Sequence, residues 1–146
     1  MKAVIQRVTQ ASVQIDNAVI GSIKNGILIL VGFHGEDTHD TIEWVVNKVL
    51  QLRIFTDSEG KMNESVIDIK GEILVVSQFT LYGSVKKGTR PSFIEAAKPG
   101  EAEKLYDYFL EYLKKQSPVP IEAGEFGGDM KVSLINDGPV TIIIDK

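Results

Sequence analysis

Apolar and polar residues alternate along the first part of the chain. Ala3 to Val8 alternates moderately. Ala11, Val13 and Ile15 then share one side, with Ser12, Gln14 and Asp16 on the other. A period of two places successive side chains on opposite faces of an extended strand. Asp16–Asn17 reads as a turn and Val19–Ile23 as a short strand. Lys24–Asn25–Gly26 is the strongest hairpin signal, because Asn-Gly accepts the positive φ angles of a type I′ turn. The run Ile27–Phe33 is almost wholly apolar and predicts a central strand covered on both faces.

From Asp37 the period changes. Ile42, Val45, Val46, Val49 and Leu50 fall at helical spacing behind a cap at Asp37 or Thr38, with Glu43, Asn47 and Lys48 outside and Trp44 at the edge. Leu52–Phe55 reads as a strand and Asp57–Lys61 as a polar loop, while Ser65–Ile69 follows no clear period. Glu72–Phe79 begins as a buried strand and ends in polar residues; Leu81–Tyr82–Gly83 and a basic loop come next. A second helix starts at Pro99–Gly100–Glu101. Its inner stripe is Ala102, Leu105, Phe109, Tyr112 and Leu113, flanked by Tyr106 and Tyr108, with Lys114 and Lys115 where the helix dipole favours cations. Pro118 and Pro120 close it, a strand follows near Ile121, and Glu125–Met130 forms a flexible corner. Two last strands remain, the second a buried apolar run over Val140 and Ile142–Ile144. Strands cluster at both ends of the chain. The expected fold is α+β, a single domain over residues 1–146, with mostly antiparallel, barrel-like strands and two main helices packed on the sheet.

Composition narrows the function classes. The 146 residues suit one core, and there is no cysteine to form a disulfide, a thiolate nucleophile or a cysteine metal site. No apolar run reaches the roughly 20 residues of a membrane span. The opening Met1–Val8 reads as a strand and not as a signal peptide. A net charge of −4 argues against broad binding along a nucleic-acid backbone, though not against gripping the end of one. The cysteine-free composition fits a cytoplasmic protein.

Candidate chemistry is sparse. His34 and His39 are the only histidines, and neither stands in a catalytic or metal-binding pattern, so exposed or structural roles are expected and no metal or cofactor is called for. Ser77–Gln78–Phe79–Thr80 ends an apolar strand in donors. These residues either satisfy the strand's own end or present groups to a ligand. Thr80 lacks a neighbouring general base and so makes a poor nucleophile, while backbone N–H groups of the segment offer another way to stabilise an oxyanion. Lys86, Lys87 and Arg90 form either a solvated charged loop or a phosphate contact. Asn136–Asp137–Gly138–Pro139–Val140–Thr141 interrupts strand-like sequence. A β-turn fits it, and so does a rigid corner aiming carbonyls at a ligand, for which a cis peptide before Pro139 is one construction.

Four segments in order resemble the signature of the D-aminoacyl-tRNA deacylase family. They are Ser77–Tyr82, Lys87–Phe93, Gly124–Met130 and Asn136–Thr141, and the opening Met1–Val8 resembles the family's start. The resemblance spans essentially the whole chain. It departs at Gly128, where alanine is expected, which loosens the corner without touching an assigned role. The resemblance implies a homodimer that hydrolyses the ester joining a D-amino acid to the 3′-terminal adenosine of tRNA. It implies a cis Gly138–Pro139 entering the partner's site to reject L-amino acids. Ser77, Gln78, Phe79 and Thr80 then line the pocket largely through backbone groups, Arg7 braces the loop, and Met130 packs nearby. Catalytic help comes from the backbone and the ribose 2′-hydroxyl. Glycine has no Cβ, so glycyl-tRNA mischarged on tRNA(Ala) is expected to pass the filter too. Two other readings remain at this point: a non-catalytic dimeric RNA-end or nucleotide-binding module, and a related deacylase with a trans Gly-Pro and altered chiral preference.

Overall fold

The computed structural model describes residues 1–146. The chain forms eight strands and two long helices: β1 Lys2–Ile15, β2 Ala18–Ile23, β3 Gly26–Gly32, α1 His39–Leu50, β4 Phe55–Thr56, β5 Met62–Glu64, β6 Glu72–Ser77, α2 Pro99–Gln116, β7 Ile121–Ala123 and β8 Lys131–Asp145. The main sheet runs β2-β1-β3-β6-β7, with β8 along the other edge of β1. Pairings of β1 with β2, β3 and β8 are antiparallel; β3–β6 and β6–β7 are parallel. β1 is long enough to serve both β3, through Lys2–Val8, and β2, through Ala11–Ile15, while β8 follows nearly its full length. β2 folds over towards β7, so that a Cβ on Gly21 would lie 3.3 Å from the Ala123 carbonyl, and the sheet curls into a nearly closed barrel.

The hairpin forms at Asp16–Asn17 and not at Asn25–Gly26. Ile15 pairs with Ala18, and Asp16 and Asn17 have φ of 48° and 66°, as a type I′ turn requires. β2 and β3 pair with successive stretches of β1 and not with each other, so Lys24–Asn25 is only a connection between them. Gly26 serves a different need: a Cβ there would fall 1.9 Å from the Glu72 carbonyl oxygen, where β6 runs alongside.

β3 is covered on both faces, as its unbroken apolar run predicts. Ile27, Ile29 and Val31 join Ala3, Ile5, Ile73 and Val75 in the main core beneath the helices. Leu28 joins Val8, Ala11, Val13, Ile23, Leu74 and Val76 in a smaller core inside the barrel. Helix α1, capped by the Thr38 side chain, contributes Ile42, Val45, Val46 and Val49. Helix α2 contributes Ala102, Tyr106, Phe109 and Leu113. Tyr106 was expected on the flank; at 2% exposure it is among the most buried side chains, and Leu105 and Tyr112 take the flanks. Phe55–Thr56 pairs only with the short β5, and Val66–Lys70 is turn. The final two expected strands are one continuous strand with a bulge. Its last stretch alternates instead of being uniformly buried, with Val140 and Ile144 inside and Ile143 71% exposed. No helix is long and apolar enough to cross a membrane.

Candidate functional site

The site begins where β6 stops. The Gln78 N–H donates to the Val31 carbonyl at 2.6 Å, the last bond of the parallel ladder. The chain then tightens into a 3-10 turn over Phe79–Tyr82. Within it the Leu81 N–H donates to the Gln78 carbonyl (3.2 Å) and the Gly83 N–H to the Thr80 carbonyl (2.9 Å). The first N–H groups of any such turn have no partner within it. No side chain caps this one, so the N–H groups of Phe79 and Thr80 have no partner within the turn. Two adjacent donors at the positive end of a helical turn are suited to developing negative charge.

These donors stand at a cavity of about 750 Å³, within the range of small-molecule sites. One wall is Val76–Phe79. A second is Phe126–Met130 with Val132. The third is Phe93–Ala97 together with Lys98, Pro99 and Ala102 at the start of α2. Most of this surface is apolar. At the mouth Phe79, 57% exposed, meets Phe93 edge to face, ring centroids 5.1 Å apart. The cavity's charged residues are Lys98 and Asp129, and Asp129 is already paired with Lys131 at 2.7 Å.

The structure brings together Ser77, Gln78, Phe79 and Met130 on this cavity. Thr80 adjoins it without lining it, its Oγ1 accepting from Gln78 Nε2 at 2.5 Å. No acid or base touches the Thr80 hydroxyl. The histidines lie elsewhere. His34 Nδ1 accepts from the Glu36 N–H, and His39 stacks on Tyr108 with centroids 3.7 Å apart. The Tyr108 hydroxyl donates to Glu43 at 2.6 Å, and that bond first, then burial, pushes its pKa up to about 12. No group of three or more His, Asp or Glu side chains converges to hold a metal ion.

Arg7 and the Gly138–Pro139 segment form a second constellation, separate from this chain's own cavity. Along β1–β8, Gln6 pairs with Thr141 and Val8 with Asn136, so residues 137–140 bulge out opposite Arg7. Arg7 is buried. Its Nη1 donates to the Ile54 carbonyl (2.7 Å), and its Nε donates to the Asp137 carbonyl (3.2 Å) and pairs with the Asp137 carboxylate (3.0 Å). From the other side, Asn136 Oδ1 accepts the Val140 N–H (3.0 Å), and Asn136 Nδ2 donates to Thr141 Oγ1 (3.1 Å). The Gly138–Pro139 peptide is cis and Gly138 has φ +118°. Both residues are exposed. Met130 lies apart from this loop within the chain and lines the cavity.

The basic residues occupy the tip of a hairpin-like loop. Ser84 and Ser92 exchange two backbone bonds of 2.8 and 2.9 Å, which set Lys86, Lys87 and Arg90 out in solvent with Phe93 at the base. None of the three makes an ion pair.

Sequence reasoning passed over Phe126, Ala102 and Pro99 as pocket residues. Phe126 could be found only through its place in the Gly124–Met130 segment; the other two carry no signal beyond the start of a helix. At Gly128 a Cβ would fall 2.6 Å from Ile15 Cδ1, so the isoleucine occupies the space an alanine methyl would need.

Comparison with known proteins gives a consistent result. Residues 4–145 match the family model described as D-Tyr-tRNA(Tyr) deacylase. A D-aminoacyl-tRNA deacylase of Thermosipho melanesiensis is 53% identical over 146 residues, covering 100% of this chain and 97% of the relative. Its counterpart in Clostridium botulinum is 54% identical with the same coverage. Among solved structures, one described as c-Myc DNA Unwinding Element Binding Protein superposes with a TM-score of 0.95 at 47% identity, covering 100% of this chain and 99% of that one. A probable eukaryotic D-amino acid tRNA deacylase superposes at 0.84, covering 99% and 98%; at 20% identity it speaks for the fold alone.

Proposed function

The chain belongs to the D-Tyr-tRNA(Tyr) deacylase family, and from that premise we propose how its residues carry out and restrict the reaction. It is a hydrolase of the ester in D-aminoacyl-tRNA. In the proposed mechanism the aminoacyl end of the 3′-terminal adenosine enters the cavity of about 750 Å³. Water adds to the ester carbonyl carbon, and the oxygen that gains charge is met by the N–H groups of Phe79 and Thr80. The bond to the ribose 3′-oxygen then breaks, that oxygen takes a proton, and the neighbouring 2′-hydroxyl relays it. The amino acid and tRNA leave. Ser77 and Gln78 shape the wall that holds the amino acid and ribose, and Met130 closes the opposite side. The observation carrying this mechanism is the pair of N–H groups without a partner in their turn, beside a cavity that holds no histidine.

Selectivity in this reading comes from Gly138–Pro139. D and L esters exchange hydrogen and side chain at Cα. Main-chain carbonyls standing where an L side chain projects reject every L residue, whatever its shape. Each tenfold of discrimination needs about 1.4 kcal/mol, which a clash with a braced backbone supplies. The loop is exposed and does not line its own chain's cavity, so it acts in a homodimer, each loop entering the partner's site. Arg7 braces it. Glycyl-tRNA mischarged on tRNA(Ala) is accepted because glycine presents no Cβ. Lys86, Lys87 and Arg90 meet phosphates near the tRNA end, in keeping with a chain whose net charge of −4 does not suit broad nucleic-acid binding. Residues 1–146 act as one deacylase domain in the cytoplasm, where charged tRNA is used.

The test is deacylation of matched D- and L-tyrosyl-tRNA and of glycyl-tRNA by the purified protein. Release of D-tyrosine and glycine with L-tyrosyl-tRNA intact supports the reading. Hydrolysis of both tyrosyl esters discards the filter, resistance of glycyl-tRNA refutes its Cβ basis, and binding without any hydrolysis returns the RNA-end-binding module.

A further inference from the structure

Tyr106 is a buried phenol that the mechanism does not use, and it sits where the two principal walls of the cavity separate. Its hydroxyl lies 3.2 Å from the Val75 carbonyl and 3.0 Å from the Gly124 carbonyl. One hydroxyl proton therefore serves two acceptors. Val75 is also the last β6 residue paired with β7, and its carbonyl takes the Gly124 N–H at 2.8 Å. Beyond this rung β6 runs on into Ser77–Phe79 and β7 into Phe126–Met130, the facing walls of the cavity. The Tyr106 ring also meets the Phe126 ring, centroids 5.8 Å apart, and Ala102, one helical turn earlier, lines the third wall. Burial raises the phenol's pKa above its ordinary value, which keeps the hydroxyl a neutral donor across the working pH range.

We infer that Tyr106 is a positioning residue: its hydroxyl locks the β6–β7 fork and so sets the separation between the Phe79–Thr80 donors and the Phe126–Met130 wall. This rests on the deacylase reading. The Val75 carbonyl keeps the Gly124 N–H when the hydroxyl is removed, but the Gly124 carbonyl has no other partner among the hydrogen bonds of the fold. A fork loosened there moves both walls. Catalysis that depends on fixed backbone donors is sensitive to such movement, a displacement of about 1 Å costing on the order of a hundredfold in rate.

The experiment compares Tyr106→Phe with Leu113→Ala, which truncates the same buried stripe of α2 beyond the fork. Steady-state kinetics on D-tyrosyl-tRNA, melting temperature and amide hydrogen exchange are measured on all three proteins. Tyr106→Phe is expected to lower kcat about tenfold or more while KM stays within about twofold. Exchange should quicken at the Gly124 amide and not across α2. Leu113→Ala is expected to melt at least as early and to keep the parent's kcat. Unchanged kcat in Tyr106→Phe overturns the inference, as does an equal kcat loss in Leu113→Ala at matched stability. Faster Gly124 exchange with a parent protein that hydrolyses no ester would keep the fork and instead sink the deacylase reading.

Discussion

Replacing Gly138 by alanine puts the proposed filter under direct load. Gly138 has φ +118°, and an added Cβ would stand 2.8 Å from Arg7 Nη2 and 2.9 Å from Val140 Cγ2. An L side chain in that backbone region costs about 1–3 kcal/mol. Relief by moving the guanidinium disturbs its bonds to the Ile54 and Asp137 carbonyls, and hydrogen bonds to a charged group are worth about 1.5–3 kcal/mol each. The cheaper escape is a shift of the 137–140 bulge, and about 1 Å there is enough to cost on the order of a hundredfold in rate. The assay is release of labelled tyrosine from matched D- and L-tyrosyl-tRNA, with urea unfolding in parallel. The expected result has three parts. The D-ester kcat/KM falls about ten- to hundredfold, the D-to-L ratio shrinks, and stability drops by about 1–3 kcal/mol. A folded variant that keeps both the parent's D rate and its D-to-L ratio would refute the reasoning. A variant that loses stability alone would assign the loop a structural role and remove it from chiral choice.

Four further outcomes are expected. Thr80→Ala should keep kcat within about fivefold of the parent, since its hydroxyl meets only Gln78; abolished turnover in folded protein would mean the hydroxyl, and not the backbone, does the chemistry. Asn136→Ala should free the Val140 N–H and erode the D-to-L ratio, whereas Asn136→Asp keeps the acceptor and should restore it; identical ratios in both would exclude Asn136 from shaping the loop. Neutralising Lys86, Lys87 and Arg90 together should raise KM for tRNA and flatten its salt dependence by about one logarithmic slope unit per lost phosphate contact; an unchanged slope would leave the loop merely solvated. Asp57 accepts bonds from Asn63 Nδ2 and the Lys61 and Glu59 N–H groups, which hold its pKa below the usual carboxylate range. A lowered folded pKa gives stability that is present above the unfolded pKa and lost as pH falls through the folded one. Asp57→Asn should therefore differ from the parent at neutral pH and converge with it in acid, and parallel urea midpoints at all pH values would count against that.

Local patterns carried much of the fold. The α1 stripe and Thr38 cap, the double coverage of β3 and the polar end of β6 all depend on neighbours in sequence, so periodicity and capping rules reach them. The errors fell where partners come from far away. Asn25–Gly26 carries hairpin chemistry, yet its glycine answers to the β6 backbone at Glu72. Tyr106 looks like a flank residue until the β6–β7 fork gives its hydroxyl two carbonyls. The interruption at Asn136–Thr141 was visible as a break in a strand. That it bulges opposite Arg7 follows from a register fixed between opposite ends of the chain. The cavity gathers residues from 76–79, 93–102 and 126–132, and no short window of sequence contains such a set.

The pairing of Lys2 with Asp145 and of Gln14 with Lys131 also orders events in time. When synthesis proceeds from the amino end, β1 emerges first and β3 soon satisfies one of its edges. The other edge must wait for β8, the last strand made. At about 5–20 residues per second, that edge stands open for several seconds, a template for any stray strand. The polar side chains that recur along it, Lys2, Gln6, Gln10 and Gln14, suit a strand that has to remain unclaimed in the meantime. The segments that form the cavity walls are synthesised mostly before the bulge at 137–140, which takes its place opposite Arg7 only when β8 docks. The part proposed to choose between esters is thus among the last to be placed, and it is placed by the docking of β8.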